Sequence, residues 1–157
     1  MKHAYLVIGV PCSGKSWVCE QLKDRFEYVR HDDHISGDYL NSIVLKSATA
    51  TKPLLIETPF SVSQIKDPLE KKGFNITPVF ILETPEVLNM RYREREGTPI
   101  IPGHLTRQET YRQRAELWNS YRGTSEEVLR YLEAMANMEP AREAVIEIEQ
   151  KWPWEKT

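Results

Sequence analysis

Residues Gly9-Val10-Pro11-Cys12-Ser13-Gly14-Lys15-Ser16 form a G-x-x-x-x-G-K-S pattern directly after the apolar run Ala4-Tyr5-Leu6-Val7-Ile8. A strand that delivers the chain into a tight turn of small residues lets backbone N–H groups converge on an anion, so this spacing reads as a phosphate-binding loop. A helix predicted to begin near Lys15 adds the positive end of its dipole. On this reading Gly9, Pro11, Cys12, Ser13 and Gly14 cradle the phosphates of a nucleoside triphosphate, ATP. Lys15 reaches the outer phosphates and the Ser16 hydroxyl coordinates Mg²⁺. The competing reading, a Gly/Ser turn that matches by chance, has to explain why strand, loop and helix signals all fall where the chemistry needs them.

Outward from the loop, apolar runs bounded by turn residues predict five strands, at His3 to Val10, Tyr28 to Arg30, Pro53 to Glu57, Ile76 to Leu82 and Ala144 to Glu149. Helical periodicity falls between them, at Lys15 to Phe26, about Asp38 to Thr49 and about Val62 to Lys72. Such alternation favours a parallel sheet covered by helices on both faces. A longer helical region precedes the last expected strand. Its start signals are Thr84-Pro85, Thr106-x-x-Glu109 and Thr124-x-x-Glu127. Between the first two lies Gly97-Thr98-Pro99-Ile100-Ile101-Pro102-Gly103-His104, whose Gly and Pro content predicts a lid loop, with the lid as a whole spanning about residues 95–106.

The 157 residues, 40% hydrophobic, are enough for one domain with a single core, and no repeat or second domain is visible. A net charge of -2 excludes attachment to nucleic acid by bulk positive charge and leaves only local patches for a polyanion. Cys12 and Cys19 are placed as reduced thiols, the first inside the loop and the second in the following helix, which points to a cytoplasmic location. With no signal-peptide pattern and no apolar stretch near the roughly 18 residues of a membrane span, no membrane partner is expected.

Phosphoryl transfer needs an acceptor oxygen in line with the γ-phosphoryl group, Mg²⁺, and positive charge over the equatorial oxygens. His31-Asp32-Asp33-His34 follows the second strand, at the carboxyl edge where ligands sit in open α/β sheets. Asp32 is the candidate base for an acceptor hydroxyl and Asp33 its neighbour at the acceptor; the alternative is an acidic turn capping the next helix. The third strand ends in one acid, Glu57, assigned to the acceptor's side of the site and able to orient a metal's water shell; the alternative is a strand-end acid bonded to backbone or capping the next turn. It lacks the paired acids of motor ATPases, and neither Asn-Lys-x-Asp nor Asp-x-x-Gly is present, which disfavours a GTPase. Seven arginines against four glutamates make residues 91–122 locally basic. On helical wheels Arg91 and Arg95 share the side of Leu88, and Arg107 and Arg114 lie beside Tyr111 and Trp118; Arg93 and Arg112 point outward. Inward guanidinium groups must pair with acids or meet an anion, and their planar forks suit phosphate. Arg91 and Arg95 are assigned to the transferring phosphate, Arg107 and Arg114 to the acceptor. Trp152 and Trp154 either stack on a base or pack at the sheet edge, and the histidines show no metal-ligand spacing.

With these residues in view the chain resembles the P-loop kinases of the nucleotide-kinase type, most closely the kinase domain of phage-type polynucleotide 5′-hydroxyl kinases. The resemblance rests on Gly9 to Ser16, on Arg30-His-Asp-Asp33, and on Arg95-Glu-Gly-Thr-Pro-Ile-Ile-Pro102, and it spans most of residues 1–122. It implies a three-layer α/β P-loop NTPase fold with a five-stranded parallel sheet and a helical lid. It also implies ATP- and Mg²⁺-dependent transfer to a hydroxyl, with Asp32 as base and lid arginines on the phosphates. Where that family carries an arginine two residues after the Asp pair, this chain has Ile35. The acceptor class therefore stays open between a polynucleotide, a hydroxymethylated base in DNA, a nucleoside and a nucleotide. A nucleoside monophosphate kinase and an ATP-gated binding module are the alternatives.

Overall fold

Strand β1 (Lys2–Ile8) sits in the middle of the molecule because its alternate residues feed two different cores. In a computed structural model describing residues 2–30, 37–58 and 62–138, Ala4, Leu6 and Ile8 point into one core, and Tyr5 and Val7 into the other. All five are fully buried, which is why the strand reads as a continuous apolar run rather than an alternating one. Leu6, Val7 and Ile8 each contribute about 1.5–3 kcal/mol by leaving water.

The chain order is β1, α1 (Lys15–Leu22), β2 (Glu27–Val29), α2 (Gly37–Thr49), β3 (Leu54–Thr58), α3 (Val62–Lys71), β4 (Phe74–Ile81), α4 (Pro85–Glu96), α5 (Pro102–Leu117) and β5 (Tyr121–Gly123). A further helix, α6, covers 125–138. The five strands form one parallel sheet in the order β2-β3-β1-β4-β5. On one face Ile43 of α2, Ile65 and Leu69 of α3, Leu88 of α4 and Tyr111 and Ala115 of α5 pack on Leu6, Ile56 and Phe80. On the other, Val18 and Leu22 of α1 and Val128 and Leu132 of α6 pack on Tyr5, Val7 and Val79. Helices therefore cover both faces, as the alternation of elements predicts.

Two helix starts agree with their sequence signals. Thr84 caps α4 by accepting from the Val87 amide at 3.3 Å, with Pro85 at the first helical position. Thr124 and Glu127 make a reciprocal capping box, Glu127 N to Thr124 Oγ1 at 3.3 Å and Thr124 N to Glu127 Oε1 at 3.1 Å. The third does not. Thr106 lies inside α5, donating to its own helix at Pro102 O (3.3 Å), because Pro102, with φ already preset, starts the helix after Ile101. The loop between α4 and α5 is thus shorter than the expected Gly97 to His104. α1 also stops earlier than Phe26, at Leu22.

The fifth strand among the described residues is Tyr121–Gly123; the strand expected at Ala144 to Glu149 lies outside the described residues. Three residues are too few to show periodicity. They are held as strand by pairing with Val79 to Ile81 and by Leu82 N to Gly123 O at 2.8 Å. Asn119, in the left-handed region at φ 50°, turns the chain out of α5 to reach them.

Candidate active site

The loop after β1 folds as its small residues dictate. Cys12 (φ 68°) and Gly14 (φ 103°) both adopt the left-handed region, and Ser13 N closes the turn on Val10 O at 3.1 Å. At Gly14 a side chain is excluded twice, by φ and by Ser125 Cβ, which an added Cβ would approach to 2.9 Å. At Gly9 an added Cβ would meet Ser13 Oγ at 2.4 Å. The Ser13 hydroxyl is fully buried and has no hydrogen-bond partner among the described residues. Val18 N to Gly14 O (2.9 Å) begins α1, so the free amides of its first turn face the loop.

The loop borders a cleft of about 370 Å³ lined by Gly9, Val10, Pro11, Cys12, Gly14, Lys15, Ser16, Trp17, Glu57, Arg95, Arg107 and Tyr111. Parallel pairing brings Glu57 and Thr58 beside Val7 and Ile8 at the carboxyl ends of β3 and β1. From there Glu57, buried to 1% exposure, accepts from Ser16 Oγ at 2.7 Å on one oxygen and from the Tyr28 hydroxyl on the other. Burial and that bond to Glu57 push the Tyr28 hydroxyl far above the usual tyrosine range, so it stays a donor. Lys15 Nζ reaches Thr58 O at 3.4 Å. Burial draws the Lys15 ammonium below its ordinary value, opposed by the negative charge of Glu57.

Among the described residues no cluster of three or more His, Cys, Asp or Glu side chains is placed to hold a metal by itself. The donors present, a serine hydroxyl beside one carboxylate, fit Mg²⁺, which takes few protein oxygens and completes its shell with phosphates and water.

The arginines divide into two groups. Arg95 and Arg107, from α4 and α5, line the cleft. Their charges, after burial, hold the His104 imidazole below its usual range, so the start of α5 is an electropositive rim. Ile100 N bonds Asn89 Oδ1 at 3.0 Å and ties the intervening loop to α4. Arg91 lines a different cavity and grips the loop's backbone: Nη1 donates to Cys12 O at 3.3 Å and Ser13 O at 3.1 Å. It also lies 3.6 Å from Glu83 Oε1. Glu83, just past β4 and 6% exposed, accepts from both the amide (2.9 Å) and hydroxyl (2.8 Å) of Ser125 at the start of α6. Its backbone is held by Gln108 of α5, Glu83 N to Oε1 at 3.2 Å and Nε2 to Glu83 O at 2.7 Å. Arg91, assigned from the helical wheel to the transferring phosphate, is thus committed to the loop's own carbonyls. Arg114, assigned to the acceptor, instead lies over the Trp118 ring, 5.4 Å from its centroid, and is not part of the cleft lining.

A tunicamycin resistance protein from Deinococcus radiodurans superposes with a TM-score of 0.56 at 15% identity, over 85% of this chain and 94% of that one. A de novo designed protein of P-loop NTPase fold matches with a TM-score of 0.51, also at 15% identity, over 92% and 96%. The chain has the P-loop NTPase fold. No protein-family model and no curated sequence matches it.

Asp32 and Asp33, with His31, His34 and Ile35, lie outside the described residues, as do Trp152 and Trp154. Sequence reasoning missed Tyr28, Glu83, Gln108 and Ser125. Glu83 left one signal, a carboxylate directly after the apolar run Val79 to Leu82, the same strand-end position Glu57 holds on β3. Gln108 and Ser125 left none, since neutral polar residues on a helix read as solvated. No helix among the described residues is long and apolar enough to cross a membrane.

Proposed function

We propose that this chain is an ATP-dependent phosphotransferase that moves the γ-phosphoryl group to a hydroxyl on a nucleic-acid or nucleotide-type acceptor. The observation that carries the reading is the Ser16–Glu57 hydrogen bond at 2.7 Å beside Lys15, in one cleft with Arg95 and Arg107. Loop amides and the head of α1 hold the phosphate chain, and Lys15 faces its outer end. Mg²⁺, when bound, would neutralise charge on the phosphates; Ser16 is its protein donor, and Glu57, held by Tyr28, orients its water shell. Arg95, at the start of the lid of residues 95–106, and Arg107, just past its end, line the cleft, and in this scheme the lid closes over the phosphates. A single acid at the end of β3, followed by Thr58, leaves no second carboxylate there to polarise water, which supports an acceptor other than water.

Asp32 takes the proton of the acceptor hydroxyl in this scheme, as the resemblance to polynucleotide 5′-hydroxyl kinases implies. A radiolabel transfer screen over DNA, RNA, nucleosides and nucleotides tests the reading. Asp32→Asn is expected to lower transfer to a hydroxyl by about 10² to 10⁴-fold while sparing ATP binding. An unchanged rate on every acceptor would remove the base from Asp32. Labelled transfer to a nucleoside monophosphate but to no hydroxyl acceptor, with the rate little changed in Asp32→Asn, would assign the acceptor to a phosphate, which needs no base. ATP binding with no labelled product would replace the enzyme with a nucleotide-gated module.

Burial of Lys15 also sets a pH dependence. Because its folded value lies below the unfolded one, the ammonium loses its proton early as pH rises, and triphosphate affinity falls before the ordinary lysine range near ~10.4 is reached. The sign for the bare chain is opposite: stability increases over the same window, since the unfolded state retains the proton longer. Calorimetric titration of ATP across alkaline pH checks this; affinity that stays level up to that range contradicts it.

A further inference from the structure

The phosphate cleft does not end at the loop. A second cavity of about 400 Å³ adjoins it, sharing Cys12, Gly14, Trp17 and Arg95, and is completed by Arg91, Ser125 and Glu126. Trp17 follows the Lys15-Ser16 pair directly and is 46% exposed, although it stands in a helix whose Val18, Cys19 and Leu22 are fully buried. One turn of α1 therefore presents its apolar face to the core and, at Trp17, a large indole to the junction of two cavities. The core does not need that indole, and an exposed tryptophan beside a polar anion site gains by covering its ring when something planar arrives.

We propose that Trp17 is the wall of a nucleoside subsite, stacking on the base of the triphosphate whose phosphates occupy the loop. The proposal rests on the reading of the loop as a triphosphate site and extends it to the half of the ligand no motif residue touches. Among the described residues, a ligand anchored at Gly9 to Ser16 that extends past Cys12 and Gly14 enters a space whose aromatic border is Trp17. Arg95 borders both cavities; its Nε donates to Glu96 Oε1 at 3.0 Å, and the face of its guanidinium plane can serve the base as well as the phosphates. Arg91 is held by the carbonyls of Cys12 and Ser13, which makes that side of the subsite rigid before ligand arrives. Stacking of this kind is tolerant of base identity because every base has a π-face, and it favours purines by their larger area.

Calorimetric titration of the wild-type chain, Trp17→Ala and Trp17→Phe with Mg·ATP and with Mg·tripolyphosphate tests the subsite, because the second ligand has phosphates and no base. Trp17→Ala is expected to weaken ATP by about 5- to 30-fold and leave tripolyphosphate unchanged, with Trp17→Phe recovering most of the loss. ATP, but not tripolyphosphate, should also quench an emission component that is missing in Trp17→Ala. Equal ATP affinity in Trp17→Ala and wild type, with tripolyphosphate bound by both, overturns the subsite and leaves the phosphate site standing. Parallel loss of both ligands in Trp17→Ala assigns Trp17 to the loop's shape and likewise overturns it. Failure of the wild-type chain to bind either ligand overturns both readings.

Discussion

Lys15→Ala is expected to reduce phosphoryl transfer by about 10² to 10³-fold while leaving the melting temperature at or slightly above that of the wild type. The rate effect follows from removing a fixed positive charge at the outer phosphates, in a cleft where neighbouring groups are partly shielded from water. The stability effect has the opposite origin. In the free chain the ammonium is held against burial, its main contact being one carbonyl, Thr58 O at 3.4 Å, and the charge of Glu57 offsets the burial only in part. Deleting it removes a group that folding disfavours, as happens where activity is maintained at the expense of stability. Transfer of labelled γ-phosphate and a thermal melt read the two effects separately. Transfer within a few-fold of wild type would show that Lys15 is not on the reacting phosphate, and a large drop in melting temperature would make it structural.

Glu83→Ala is expected to produce the largest loss of stability of any single change at the site, about 2–4 kcal/mol, with Glu83→Gln losing less. The carboxylate is buried and accepts two bonds from Ser125, and Arg91 stands 3.6 Å away while it holds two loop carbonyls. Alanine takes away the acceptor of the Ser125 amide and hydroxyl, leaving the hydroxyl only its 3.5 Å contact from Arg91 Nη2, and removes the charge facing Arg91. Glutamine retains an acceptor for Ser125 but no charge. Because Arg91 remains about one-third exposed, water repays part of the ion-pair loss, which sets the figure below that of a fully buried pair. Chemical denaturation of Glu83→Ala, Ser125→Ala and the double variant checks this. The double variant should be less destabilised than the sum of the singles, since both act through one network. Additive effects would place Glu83 and Ser125 in independent roles.

These two residues mark the boundary between what was legible in the chain and what was not. Lys15 announces itself because a phosphate-binding loop is a local object: eight consecutive residues carry the turn, the glycines, the cation and the hydroxyl. The alternation of apolar runs and helical periods is equally local and is enough for a parallel sheet with helices on both faces. Strand-end position also made Glu57 visible, although its bonds to Ser16 and Tyr28 were not, since these lie 41 and 29 residues from it.

Contacts between distant segments escaped for the same reason. Arg91 and Arg95 share one helix side, one turn apart, and the wheel treats them alike. Chain packing then gives Arg91 the carbonyls of Cys12 and Ser13, some 79 and 78 residues earlier, and leaves Arg95 to the cleft. Arg114 went to Trp118 rather than to an anion. Tyr121–Gly123 became the fifth strand because β4 offered it an unpaired edge, a property of the sheet and of no window in the sequence. Gln108 and Ser125 are polar residues on helices that became buried only when α5 and α6 closed around Glu83. Features that need only neighbours in the chain were thus legible in the order of residues: the loop's turn, the position of its lysine and the layered sheet. The assignment of each arginine, the closing strand and the buried support of the loop required partners brought together from dozens of residues away, and only the folded chain supplies those.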